Sequence, residues 1–346
     1  MAPRRRACLV CFVWSVLGFI FGLWLHFRFL TYRADDVPKL SLGPLDKGGD
    51  AFLFVAVLSS HKNEVLRNAA RETWVKLGAK SKQRVAYRFF VGSLGLPAQT
   101  IADLLQESRT FNDTVVLANT PDSYGRLTEK VLMMFTWAAE HYDFQYLLKL
   151  DDDSFARIDL IADELGTLQQ HKPVRELYWG FFSGRAPVFK MGKWAEPFWY
   201  LRDYYYLPYA RGGGYVLSYQ LVVSIQKHRT DLERYFSEDV SVGVWLAPMN
   251  IERKHDRRFN TEYRSRGCFN SYLVTHKQDG FMMNEIYGSL EEHGVLCERE
   301  VRSALSYDYN WNVAPSKCCV RNLTDADLKH HSSHHASSSL FRRNGL

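Results

Sequence analysis

Residues 146–153 read YLLKLDDD: an apolar strand runs without a break into three consecutive carboxylates. Adjacent carboxylates repel one another and cost stability unless a cation neutralises them. A solvated acidic turn is the ordinary fate of such a run, but here the cluster closes a strand. Upstream, strands and helices alternate. AFLFVAVLSS (51–60) is the short apolar run that a buried strand needs. Leu66, Ala70, Trp74 and Leu77 then recur at helical spacing, with Asn63 placed to cap the helix and Gly78 to stop it. VAYRFFVG (85–92) is a second strand, Pro97 opens a helix through Leu104 and Leu105, and VVLANT (115–120) is a third strand. Val131, Phe135 and Ala138 mark one face of a longer helix that leads back into YLLKL. The alternation predicts an α/β fold, a parallel sheet with helices on both faces. Such sheets bind ligands at the carboxyl ends of their strands, where Asp151, Asp152 and Asp153 stand.

A site built of carboxylate oxygens suits Mn²⁺, with Mg²⁺ as the alternative, rather than zinc. Either metal keeps positions open for phosphate oxygens. No Gly-x-x-x-x-Gly-Lys loop follows the first 33 residues, which excludes a P-loop nucleotide site. The net charge of +6 is misleading as a guide to partners, because five arginines and no acid fall in residues 1–33 and leave the rest at +1. A near-neutral body argues against nucleic acid as a ligand.

Residues 7–25, ACLVCFVWSVLGFIFGLWL, carry no charge over 19 residues, long enough to span about 28 Å as a helix. Arg4–Arg6 precede the run, which predicts a cytoplasmic tail (1–6), a signal anchor (7–25) and a lumenal body. Residues 26–50, with Pro38, Gly43, Pro44, Gly48 and Gly49, read as a stem, 51–324 as the catalytic domain and 325–346 as a disordered tail rich in His and Ser. Asn112-Asp113-Thr114 and Asn322-Leu323-Thr324 are glycosylation acceptors of the kind a lumenal domain carries. Four cysteines, Cys268, Cys297, Cys318 and Cys319, predict two disulfides. A bridge between the adjacent Cys318 and Cys319 is strained, which leaves two of the three pairings open. An anchored, lumenal, metal-dependent site for a nucleotide diphosphate points to a sugar-nucleotide glycosyltransferase.

Five segments in order then resemble the β1,3-galactosyltransferase family (glycosyltransferase family 31). They are Arg67-x-x-x-Arg71-x-Thr73-Trp74, Phe90-Val91, Lys149-x-Asp151-Asp152-Asp153, Tyr206-x-Pro208-Tyr209-x-x-Gly212-Gly213-Gly214-Tyr215 and Glu238-Asp239-Val240. YWGFFSGR (178–185), SEDVSVGVWLAP (237–248), EYRSRGC (262–268) and YLVTHKQ (272–278) are similar to the branch that adds the second galactose of the glycosaminoglycan linker. The resemblance implies a GT-A fold, a Rossmann-like mixed sheet flanked by helices, and transfer of galactose from UDP-galactose with inversion. The implied acceptor is the terminal β-galactose of a galactosyl-xylose on proteoglycan core proteins, joined in β1,3 linkage on the lumenal face of the Golgi membrane.

Inversion needs a base for the acceptor hydroxyl, and the family motif puts Asp239 in that role with Glu238 as the alternative. The resemblance makes Asp153 the direct metal ligand, with Asp151 and Asp152 toward the ribose or waters and His276 as a further ligand; His255 is a nearby competitor. The donor side is expected to draw on Ser59, Ser60, Arg67, Arg71, Lys149 and the three aspartates. The acceptor side draws on Trp179, Gly180, Trp194, Tyr206, Gly213 and Gly214, the aromatics by stacking on sugar rings and the glycines by close backbone approach or a tight turn. One departure stands out: Tyr124-Gly125-Arg126-Leu127-Thr128 carries Arg where the family has Asn.

Overall fold

The computed structural model describes residues 49–171, 176–197, 199, 201 and 204–323. The segments expected to be a cytoplasmic tail (1–6), an anchor (7–25), most of a stem (26–48) and a C-terminal tail (325–346) lie outside the described residues. Among the described residues no helix is long and apolar enough to cross a membrane.

The strands run β1 (Asp50–Leu58), β2 (Val85–Leu94), β3 (Thr114–Pro121), β4 (Asp143–Asp151), β5 (Ser154–Ala156), β6 (Leu177–Ser183), β7 (Tyr209–Ser218) and β8 (Glu252–His255). The short strands β9 (Phe259–Asn260), β10 (Gly267–Cys268), β11 (Val274–His276) and β12 (Val301–Arg302) follow. The helices are α1 (Glu64–Glu72), α2 (Ala98–Phe111), α3 (Leu127–His141), α4 (Ile158–His171), α5 (Tyr219–Lys227), α6 (Glu238–Leu246) and α7 (Gly280–His293).

The main sheet has the order β3-β2-β1-β4-β7-β6-β8. Its first four strands are parallel, as the alternation predicts. Beyond β4 the sheet is mixed, because β7 runs antiparallel to both β4 and β6 while β8 is parallel to β6. β1 sits between β2 and β4 with helices over it, so its apolar run is buried nearly throughout. The chain winds from β1 outward through β2 and β3, then returns to place β4 on the other side of β1. That reversal opens a crevice at the carboxyl ends of β1 and β4, where Leu58 pairs with Asp151.

The first helix differs from expectation. It ends at Glu72, and Trp74–Lys80 continues as a 3₁₀ segment that passes Gly78. Thr73 breaks the α-helix at φ −120°, ψ −106°, and the tighter 3₁₀ repeat then turns Trp74 and Leu77 into the core together. Asn63 makes no capping bond; its side-chain amide instead donates from Nδ2 to Asp152.

The disulfides also differ. They join Cys268 to Cys297 and Cys318 to Cys319, which overturns the expectation that the adjacent pair stays unbridged. The first pair, with Cα atoms 6.3 Å apart, consumes the other two cysteines among the described residues. Cys318 and Cys319 are buried side by side against Gly184, where an added Cβ would come within 2.5 Å of both sulfurs.

Candidate active site

The turn from β4 into β5 sorts the three aspartates. Asp151 ends β4, and Asp152 and Asp153 form the turn, where Asp153 joins Asp151 at His276 while Asp152 points away. Asp152 turns inward to accept from Ser59 Oγ at 2.7 Å and Asn63 Nδ2 at 2.9 Å. Burial pushes its carboxyl up to about 6, against the pull of those two donors. Instead of facing a ribose or waters, as expected, it braces the end of β1.

A second, three-stranded sheet in the order β5-β11-β9 completes the cluster. β11 pairs antiparallel with β5 so that His276 stands opposite Ser154, the residue after Asp153. His276 Nε2 then lies 2.9 Å from Asp153 Oδ1 and 3.5 Å from Asp151 Oδ2. Ligand atoms of Asp151, Asp153 and His276 all fall within 4.8 Å of one another. Neither buried ring nitrogen makes a hydrogen bond of acceptable geometry, although carboxylates surround one of them. Two carboxylates and an imidazole left in that state fit a divalent cation. Burial would raise the Asp153 carboxyl, but His276 and Lys277 together hold it well below the usual range. Lys277 donates to Asp153 Oδ2 at 2.8 Å from a backbone held at φ 65°. His255, the competitor, is held away from the cluster between Phe182 N and Tyr307 O, and desolvation lowers its pKa to about 4.

Three consecutive glycines of β7 make room for this cluster. A Cβ at Gly213 would sit 2.6 Å from the His276 ring, and one at Gly212 would sit 2.4 Å from Glu238 Oε1. At Gly214 it would meet Leu150 and Val274 at 2.9 and 3.0 Å. The close approach expected of these glycines is therefore to the protein's own side chains.

Lys149, fully buried, ties three elements together. Its Nζ donates to Asp151 Oδ1 at 2.7 Å, Gly212 O at 2.5 Å and Glu238 Oε1 at 2.6 Å. Burial pulls its pKa down, yet Asp151 and Glu238 outweigh that and hold it charged. It is an internal clamp, with its donors used inside the protein rather than offered to a nucleotide.

Glu238 and Asp239 open α6 and take different parts. Glu238 is 7% exposed and bound to Lys149 and to Tyr215 Oη. Asp239 is less buried and accepts only backbone amides, Gly212 N at 3.1 Å and Val240 N at 2.9 Å. Burial raises its pKa, opposed first by Arg211 and then by Lys149. A cavity of about 380 Å³ is bordered by Asp151, His276 and Asp239. Its aromatic wall includes Tyr124, Phe189, Trp194 and Tyr263. Trp194 donates from Nε1 to Tyr124 Oη at 2.7 Å and meets Tyr263 edge-on at 5.2 Å.

The other expected residues divide clearly. Arg67 is fully buried, forked onto Glu107, and donates to Ser59 Oγ and Ser60 O. Arg71 is spent on Glu107 and Asp113. Arg67 shapes the end of β1 and Arg71 ties α1 to α2 and the start of β3, so both are engaged mainly inside the protein. Ser59 is buried; its carbonyl receives Lys130 Nζ, and Lys130 also pairs with Asp122, which holds His61. Trp179 is a core residue bonded to Asp256, and Gly180 packs between Ala210 and Tyr215, so neither offers a face to a sugar. Tyr206 is 4% exposed and supports the cavity wall, its hydroxyl taken by Phe189 N. Arg126 lies on the surface, paired with Glu129. Asn112 is exposed at the left-handed end of α2, and Asn322 is exposed as well.

Sequence reading missed Lys130, Asp122, Glu107, Arg211 and Thr261. Of these only Lys130 left a local signal, a lysine next to Val131 on the apolar face of a helix.

Residues 66–257 match the family model described as Galactosyltransferase. The chain is 48% identical over 272 residues to the Mus musculus protein Beta-1,3-galactosyltransferase 6, covering 78% of this chain and 83% of that one. It is 28% identical over 258 residues to the Arabidopsis thaliana Hydroxyproline O-galactosyltransferase GALT5, over 73% of this chain but only 37% of that protein's length. A solved mannosyltransferase, PcManGT from Pyrobaculum calidifontis in complex with GDP-Man and Mn²⁺, aligns with 70% of this chain and 64% of its own at 15% identity and a TM-score of 0.35.

Proposed function

This chain belongs to the galactosyltransferase family, and on that premise we propose that it is an inverting β1,3-galactosyltransferase of GT-A architecture that uses UDP-galactose. The acceptor is a terminal β-galactose, and the reaction adds the second galactose to Gal-β1,4-Xyl-Ser of the proteoglycan linker. One observation carries the chemistry: a single cavity is bordered both by Asp151 and His276 of the metal-type cluster and by Asp239.

Asp151, Asp153 and His276 would hold Mn²⁺ or Mg²⁺, which when bound supplies positive charge for the departing diphosphate. Asp239 takes the proton of the acceptor's O3 hydroxyl as that oxygen bonds to C1 of galactose. The C1–oxygen bond to UDP breaks, its electron pair leaves with UDP, and the anomeric centre inverts. Glu238 is less suited to the base role, because Lys149 holds it. The uncharged run 7–25 behind Arg4–Arg6 and the exposed Asn112 support a lumenal catalytic domain on a Golgi type II anchor.

The test incubates purified full-length protein with Mn²⁺ and an aryl galactosyl-β1,4-xyloside. UDP release is compared for UDP-galactose, UDP-N-acetylglucosamine and UDP-N-acetylgalactosamine. Acceptor-dependent release from UDP-galactose alone is the expected result. Release from another donor instead overturns the donor, and no acceptor-dependent release from any donor overturns the catalytic reading.

A further inference from the structure

Among the described residues, the fully buried Arg67 and Arg266 are each met by several partners. Arg67 is met by Glu107, Ser59 and Ser60, and Arg266 by Glu262 and the carbonyls of Arg257 and Phe259. Arg211, next to the glycines of β7, borders the cavity, and its buried Nε has no hydrogen-bond partner. Nearby Glu262 is already paired with Arg266 and Arg321, and Asp239 is engaged by two backbone amides. Thr261, 2% exposed, borders the same cavity with its Oγ1 equally unpartnered.

A buried N–H donor without a partner, or a buried hydroxyl without one, costs free energy that a stable fold normally avoids. Two such groups lining the cavity that Asp239 also borders indicate groups kept for a ligand. Because Arg offers only donors, its partner must present oxygen lone pairs.

We propose that Arg211 and Thr261 are acceptor-specificity residues: they hydrogen-bond ring hydroxyls of the neutral pyranose whose own hydroxyl faces Asp239. The inference rests on the galactosyltransferase reading above and adds to it the residues that orient the acceptor. Arg211 follows from its place in the chain, since it directly precedes Gly212, whose N–H holds Asp239. Recognition of the acceptor and placement of the base thus share one stretch of β7.

The test uses full-length Arg211→Leu and Thr261→Val with the galactosyl-xyloside acceptor and its monodeoxy analogues. Arg211→Leu is expected to lower kcat/KM for the acceptor by about tenfold or more, the scale of one lost charged hydrogen bond. UDP binding with Mn²⁺, measured by calorimetry, should stay within about twofold of wild type. At least one deoxy acceptor that wild type handles poorly should suffer no further loss in Arg211→Leu. Thr261→Val should show the same pattern with a different deoxy analogue. An unchanged acceptor KM, or a fall in Tm together with UDP affinity, overturns the proposal in favour of a structural role. Failure of the underlying reading looks different, since wild type itself would then show no acceptor-dependent UDP release.

Discussion

His276 Nε2 lies 2.9 Å from Asp153 Oδ1, brought there by the β5–β11 pairing that sets His276 opposite Ser154. Two segments far apart in sequence thus form one face of the site. Neither Asp153 nor His276 alone predicts the other, and the pair is the strongest local sign of a metal.

If the cluster holds a divalent cation, Asp153→Ala abolishes metal-dependent UDP binding. His276→Ala weakens it by about 10–100-fold, the usual cost of losing one well-oriented contribution to a metal site. Calorimetric titration with Mn²⁺ and UDP decides this, and wild-type binding by Asp153→Ala would sink the assignment.

Asp239 and Glu238 are separable by kinetics. Asp239→Asn keeps UDP affinity and loses kcat by about 10²–10⁴, the range for removal of a general base. Equal loss of donor binding and turnover would show that Asp239 builds the donor site instead.

The glycines of β7 give a steric test with an internal control. Gly213→Ala places a methyl 2.6 Å from the His276 ring, displacing it and lowering Mn²⁺ affinity at least about tenfold. Gly288, in the middle of α7, has nothing within 4 Å of its Cβ position. Gly288→Ala should therefore leave metal affinity alone and raise stability by about 0.5–1 kcal/mol. Equal effects on Mn²⁺ binding from both substitutions would contradict the steric account.

The pH dependence of stability has a clear contributor outside the site. Burial alone would raise the Asp256 carboxyl, but Arg258 and the neighbouring Lys254 bring it down to about 2 from an ordinary 3.8. A depressed carboxylate stabilises the fold above its unfolded pKa and loses that contribution as pH falls through the folded value. Asp256→Asn should cost about 2 kcal/mol at pH 7, and the gap to wild type should close between about pH 4 and pH 2. Chemical denaturation across that range measures it, and a gap that stays constant with pH refutes the ionic explanation.

The sequence by itself determined the alternation of strands and helices, the parallel half of the sheet, the acidic strand end and the acidic start of α6. Each of these is local, written in apolar spacing of two or of about 3.6 residues and in adjacent charges. It also carried enough ordered motif to point to the family and to single out His276. Only the tertiary structure decided which aspartate turns away, since that depends on Ser59 and Asn63 standing behind Asp152. The same holds for Arg67 and Lys149, whose charges are consumed by Glu107 and by Asp151 with Glu238. Trp179 reads in sequence like any aromatic near a site and is core because β6 lies inside the sheet. The pairing of Cys318 with Cys319 follows from where Cys268 and Cys297 meet. Arg211 and Thr261 acquire meaning only through the partners they lack, because an unpaired group is defined by everything folded around it and local pattern records none of that.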